Sequence, residues 1–243
     1  MSPIYAIGDI HGELGMLERA LDLVEADGGT EALTVFLGDY IDRGPDSSNV
    51  LDLLISGQKL GRNWVFLKGN HDRMFEWFLQ TPSRIDPNLF IDLSWLHEKL
   101  GGQRTLMSYG VNFSERYRLN ALHSATLSVV PDSHLKFLAN CKLSYETDDI
   151  FFCHAGVRPE VELKKQSEED LLWIREEFHN YMGQYSKLIV HGHTPIEKAT
   201  HYTNRVNLDS GSGYGKSLTA AVFEGTRCYS LNSKGRVQLL PTR

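Results

Sequence analysis

Four short segments constrain this chain more than anything else in it. Gly8-Asp9-Ile10-His11-Gly12, Gly38-Asp39-Tyr40-Ile41-Asp42-Arg43-Gly44, Gly69-Asn70-His71-Asp72 and His191-Gly192-His193-Thr194 set Asp, His or Asn among glycines. Each follows directly on an apolar run, so each reads as a polar loop at the end of a strand. His154 stands at the end of a further run, Ile150 to Cys153.

The spacing between these segments gives the expected architecture. Ile4–Ile7, Leu33–Leu37 and Val65–Leu67 read as short buried strands. Helices are expected over Glu13–Ala26 and from Arg73 to Leu79, with a third carrying Val50, Leu51 and Leu54 and capped at Asp46-Ser47-Ser48. This βαβαβα order favours parallel strands with right-handed crossovers. In such sheets ligands gather beyond the carboxyl ends of the strands, where the first three motifs fall. Residues 81–144 break the rhythm with Pro82, Pro87, Pro131 and Gly101-Gly102. They read as a helical, lid-like insertion over the site within a single domain spanning 1–243. Glu168–Tyr181 is expected to be helical. After Arg205, short runs separated by glycine turns predict antiparallel strands that complete a second sheet.

Composition narrows the class of function. The 243 residues carry a net charge of −6, so the basic footprint of a nucleic-acid binder is missing. Cys141, Cys153 and Cys228 show no paired spacing, which fits unpaired thiols in a reducing compartment. The opening residues lack a signal-peptide pattern, and no apolar run reaches membrane-span length. A cytoplasmic protein with no membrane partner is the expectation; oligomeric state is open.

Asp9 and His11, two apart, can reach one ion. Asp39, after the next strand, has two carboxylate oxygens that can bridge two ions. Asn70 offers a neutral amide oxygen, and His154 and His191 each follow a later strand. Taken singly, each is an ordinary helix cap or core histidine. Together they form a mixed nitrogen and oxygen donor set that suits manganese, iron or zinc better than magnesium or calcium. Two such ions about 3.5–4 Å apart can clamp the attacking and leaving oxygens of an in-line displacement and make a bridging hydroxide the nucleophile.

The motifs GDIHG, GDYIDRG, GNHD and HGHTP resemble, in order and spacing, those of the phosphoprotein phosphatase family of calcineurin-like metallophosphoesterases, nearest its compact bacterial and phage serine/threonine phosphatase branch. The resemblance covers most of the chain. It implies a four-layer αββα sandwich with mixed sheets and a dinuclear centre at strand ends. It implies that Asp9, His11 and Asp39 hold one metal, and Asp39, Asn70, His154 and His191 the other. His71 would protonate the leaving oxygen and Asp42 would orient its ring. Arg43 and Arg175 would clamp phosphate, Arg175 lying in a Trp-x-Arg pattern with Trp173; its plain alternative is a helix arginine paired with Glu176 or Glu177. His193 is expected outside the ligand set, because the resemblance assigns the first histidine of the pair.

Two features qualify the substrate. Asp72 stands where protein phosphatases of this type commonly carry Glu, and GNHD is shared with diadenosine tetraphosphate hydrolases. Those enzymes lack the second Asp of GDYIDRG and the Thr-Pro of HGHTP. The expected activity is therefore a manganese-dependent phosphomonoesterase on phosphoserine, phosphothreonine or also phosphotyrosine proteins, with a nucleotide polyphosphate hydrolase as the alternative. The stretch from Ser210 to Ser217 nearly spells a phosphate-binding loop, but its first glycine is replaced and strand residues follow, where such a loop must open a helix. Asp209 and Tyr214 there are candidates to line the cleft.

Overall fold

The computed structural model describes residues 2–91, 93–113 and 118–242. Strands β1 (Ile4–Ile7), β2 (Thr34–Phe36) and β3 (Trp64–Phe66) are parallel neighbours. Each leads into a helix: α1 (Leu14–Gly28), α2 (Ser47–Lys59) and α3 (Asn70–Gln80). Two local details differ from expectation. Asp46 makes no side-chain cap on α2. Helix α3 begins three residues early, because the Asp72 carboxylate accepts the Gly69 amide at 2.8 Å and closes its first turn.

Strand alternation sorts the layers. On the first sheet Tyr5, Ile7, Phe36 and Phe66 face α1, α2 and α3. Ala6 and Val35 face the other way, against Ile150, Phe152 and Val190 of a second sheet. That sheet contains β4 (Ser144–Glu146), β5 (Ile150–Cys153), β6 (Leu188–His191), β7 (Thr200–His201) and β8 (Arg205–Asn207), in the order β4-β5-β6-β8-β7. Its outer face, Phe151, Cys153 and Ile189, is covered by Leu171, Ile174 and Phe178. These come from α7 (Glu168–Trp173), the residue after it, and α8 (Glu176–His179). The result is the expected αββα sandwich with two mixed sheets. Among the described residues no helix is long and apolar enough to cross a membrane.

The last three strands correct the sequence reading. β9 (Ala220–Glu224), β10 (Arg227–Asn232) and β11 (Gly235–Leu239) extend the first sheet, in the order β11-β10-β9-β1-β2-β3. Of the late runs only β8 lies in the second sheet, parallel to β6 and antiparallel to β7. β9 suits the position beside β1 because it alternates in the same way. Ala220 and Val222 meet the helical core, while Ala221 and Phe223 meet the inter-sheet core.

Between α3 and β4 the chain forms α4 (Gly102–Ser108), α5 (Leu119–Val129) and α6 (Asp132–Asn140). Leu106, Leu122, Phe137 and Leu138 pack into the core built by α2 and α3. The segment 168–181 is broken at Ile174-Arg175, so it is two short helices instead of one.

Candidate active site

The carboxyl ends of β1, β2, β3, β5 and β6 bring their loops together. The amides of Ile10 and His11 both donate to Asp39 O, at 3.0 and 2.8 Å, and His71 N donates to Asp39 Oδ1 at 3.0 Å. Among the described residues six non-glycine positions have positive φ, and five of them are His11, Asp39, Asp42, Arg43 and His193. Backbone in that region costs about 1–3 kcal/mol per residue and persists where surroundings over-determine it. Here all five lie in the motif loops at the strand ends.

The histidine tautomers follow from what each ring faces. His11 Nδ1 lies 2.9 Å from Ile41 O and His154 Nδ1 2.9 Å from Leu37 O. A carbonyl only accepts, so both Nδ1 atoms carry the proton and both Nε2 lone pairs point into the site. Burial pushes His11 and His193 well below the usual imidazole range, which keeps them neutral and able to ligate. His154 Nε2 and His193 Nδ1 each lie 2.9 Å from Asn70 Oδ1, and His154 Nε2 is 3.5 Å from Asp39 Oδ1. On the other side His11 Nε2 is 3.5 Å from Asp39 Oδ2. Asp39 is thus common to two clusters, His11-Asp39-His71 and Asp39-His154-His193.

The donor set fits a pair of cations. Asp9 Oδ1 is buried without a hydrogen-bond partner among the described residues, while Asp9 Oδ2 accepts the His193 amide at 2.9 Å. Burial, then the charges of Asp209 and Asp39, raise Asp9 well above the usual carboxylate range. Such crowding of buried carboxylates calls for positive charge. The loop over Asp9 must be glycine: a Cβ on Gly192 would stand 1.9 Å from Asp9 Oδ1.

His191 is a correction. Its Nε2 lies 3.1 Å from Arg205 Nη1 and its Nδ1 3.0 Å from Gly192 O. The ring packs edge-on to Phe178 at 5.0 Å. With Arg205 and Phe178 around it, the ring lies on the α8 side of β6. His191 is the last residue of β6 and faces the α8 layer; two residues on, after the turn at Gly192, His193 enters the cleft. The structure therefore groups His193, not His191, with Asp39, Asn70 and His154.

His71 Nδ1 lies 2.6 Å from Asp42 Oδ2. Burial lowers His71 to about 3 and raises Asp42 to about 7, a cost of charging that the 2.6 Å contact between them offsets. Arg43 reaches His11 Nε2 at 2.5 Å and His71 Nε2 at 3.1 Å, with Tyr214 under its guanidinium at 4.7 Å. Arg175 sits at the break between α7 and α8, its Nε donating to His193 Nε2 at 3.1 Å. No pairing of Arg175 with Glu176 or Glu177 is seen among the described residues; Glu177 pairs with Arg158 instead. Trp173 packs against the core and lies edge-on to His193 at 5.8 Å.

The sequence pattern of the calcineurin-like phosphoesterases matches residues 2–217. The chain belongs to that family. This phosphoesterase is 28% identical over 225 residues to serine/threonine-protein phosphatase 1 of Salmonella typhimurium, covering 90% of each chain. It is also 28% identical over 255 residues to the asymmetrical bis(5'-nucleosyl)-tetraphosphatase PrpE of Anoxybacillus flavithermus, covering 93% of each. Its fold matches the cold-active protein-tyrosine phosphatase of a psychrophilic Shewanella species with a TM-score of 0.61. That pair shares 16% identity and covers 99% of this chain and 81% of the other.

Sequence reasoning gave Asp72 a bearing on substrate and missed Ser212, Trp95 and Thr105. Asp72 lines no substrate surface: it is fully buried, and its carboxylate accepts the amides of Asp39 (2.8 Å), Tyr40 (3.0 Å) and Gly69 (2.8 Å). Ser212, in a 3₁₀ turn within the false phosphate loop, donates to Asp9 O. Trp95 and Thr105 reach Asp42 from the segment between α3 and α5. No local sequence signal linked Trp95 or Thr105 to Asp42.

Proposed function

We propose that this phosphoesterase is a metal-dependent phosphomonoesterase of the serine/threonine or dual-specificity protein phosphatase type. The observation that carries the reading is the 2.6 Å contact between His71 and Asp42 beside two arginines. Asp9, His11 and Asp39 on one side, and Asp39, Asn70, His154 and His193 on the other, would hold two divalent ions, with manganese the proposed metal and iron or zinc alternatives. When bound, such ions supply the Lewis acidity that activates water and neutralises phosphate charge. Arg43 and Arg175 bind and orient the phosphoryl oxygens, since a planar guanidinium meets two oxygens at once. His71 gives the proton from Nε2 to the leaving oxygen while Asp42 holds Nδ1–H and stabilises the imidazolium. We assign 1–243 to one domain in which 81–144 is an insertion, and the three free thiols fit a reducing cytoplasmic setting.

The relatives divide between phosphoprotein and dinucleoside tetraphosphate names. The groove leading from Arg175 favours the first. It is lined by Glu169, Asp170, Glu176 and Glu177 against Arg158 and Arg175. A polyphosphate laid there meets like charge, whereas a peptide with basic residues meets complement. Turnover of a phosphopeptide panel compared with diadenosine tetraphosphate, both with manganese, tests this. A kcat/KM preference for the nucleotide overturns it.

A further inference from the structure

We propose that Trp95 and Thr105 are positioning residues that aim the Asp42 carboxylate at His71 and thereby set proton delivery to the leaving oxygen. The inference rests on the reading of His71 as the leaving-group acid.

Asp42 has a complete set of partners. Its Oδ2 accepts from His71 Nδ1 at 2.6 Å and from Trp95 Nε1 at 2.8 Å, and its Oδ1 accepts from Thr105 Oγ1 at 2.6 Å. The same Thr105 hydroxyl accepts the Asp42 amide at 2.9 Å. One hydroxyl thus meets both the side chain and the backbone amide, the latter shared with Ser47 Oγ at 3.1 Å, of a residue held at φ 71°. All four groups are buried: Asp42 and Thr105 are fully inaccessible, His71 is 2% and Trp95 5% exposed.

The supports are themselves held. Trp95 stacks on Phe75 at 5.1 Å with a 26° interplanar angle and touches Phe78 at 4.9 Å. Gly101, at φ 87°, lets this segment lie directly on the motif loop, for a Cβ there would be 2.3 Å from Arg43 N. A carboxylate with His71 as its sole partner could rotate about its terminal torsion. With both oxygens tied, only one orientation remains, and the imidazole is oriented through it.

In the step concerned, a water oxygen forms the new bond to phosphorus as the bond to the leaving oxygen breaks. The leaving oxygen takes the His71 Nε2 proton, the water gives up one proton, and solvent reprotonates His71. Proton delivery matters most when the leaving group is a poor one, so leaving-group dependence isolates it.

The test uses the metal-loaded full chain with Trp95→Phe, Thr105→Val and Thr105→Ser. Trp95→Phe keeps the stacked ring and removes the indole N–H; Thr105→Val keeps the shape and removes the hydroxyl. We expect each of these two to lose about tenfold or more in kcat on phenyl phosphate, with little change on dinitrophenyl phosphate, in KM or in bound metal. Thr105→Ser retains wild-type behaviour, and the low-field proton signal of His71 Nδ1 moves in Trp95→Phe and Thr105→Val. Equal losses on both esters, or none, overturn the proposal, and if one variant fails to fold the other decides. Asp42→Asn runs alongside. If it discriminates between the esters and the other variants do not, this inference alone fails. If it does not discriminate, the acid assignment fails and takes the inference with it.

Discussion

His193 Nδ1 lies 2.9 Å from Asn70 Oδ1, joining two loops 123 residues apart. His191, two positions earlier, turns instead to Arg205 at 3.1 Å. The two histidines of one motif therefore face opposite layers. His193→Ala is expected to lose one of two bound metals and most turnover. His191→Ala is expected to keep metal stoichiometry but lose about 2–4 kcal/mol of stability, from the cavity and the unpaired Arg205. Metal analysis after desalting, with denaturant melts of both variants, checks this.

Asp72 joins three backbone amides from the second and third motif loops. Asp72→Ala should cost about 3 kcal/mol, since buried amides left unpaired cost about 1–3 kcal/mol each and some recover water. The ratio of phosphopeptide to diadenosine tetraphosphate turnover should stay unchanged. A change in that ratio in a folded, metal-replete variant would mean that Asp72 selects substrate.

Arg73 is buried in α3 and bonds Asp86 at 2.7 Å and Glu169 at 2.8 Å, tying the insertion and α7 to the site helix. Arg73→Met leaves Asp86 charged and buried, and should cost about 3–5 kcal/mol by chemical denaturation. Replacing both Arg73 and Asp86 with apolar residues should recover part of that loss. The Arg73 hydrogen bond also lowers the Glu169 carboxyl below its ordinary value. That contribution is present above the unfolded pKa and is lost as pH falls through the folded value, so Arg73→Met should flatten the stability profile on the acid side of about pH 4.5.

His179 gives a second pH dependence of different origin. Burial first, then the charges of Arg205 and Arg175, lower it to about 4. Its Nε2 is buried without a partner among the described residues. Between about pH 6.5 and 4 the unfolded chain binds a proton here that the folded chain refuses, so stability falls as pH drops through that window. His179→Gln should lose less stability than wild type between pH 7 and 5. Equal losses in paired urea titrations would count against this account.

The sequence by itself determined the strand-end placement of Asp9, Asp39, Asn70 and His154, because each motif directly follows a local apolar run whose period can be read in a few residues. It also determined the pairing of Asp42 with His71, through the family motifs. Three matters were decided only by tertiary structure. Which histidine of His191-Gly192-His193 enters the cleft depends on how far β6 continues and on Arg205 waiting on the far face. Which sheet receives β9 to β11 depends on alternation matching a strand more than two hundred residues earlier. That Trp95 and Thr105 seat Asp42 depends on an insertion folding back over the motif loops. In each case the deciding partner lies far away along the chain, and no local pattern of side chains encodes a long-range contact.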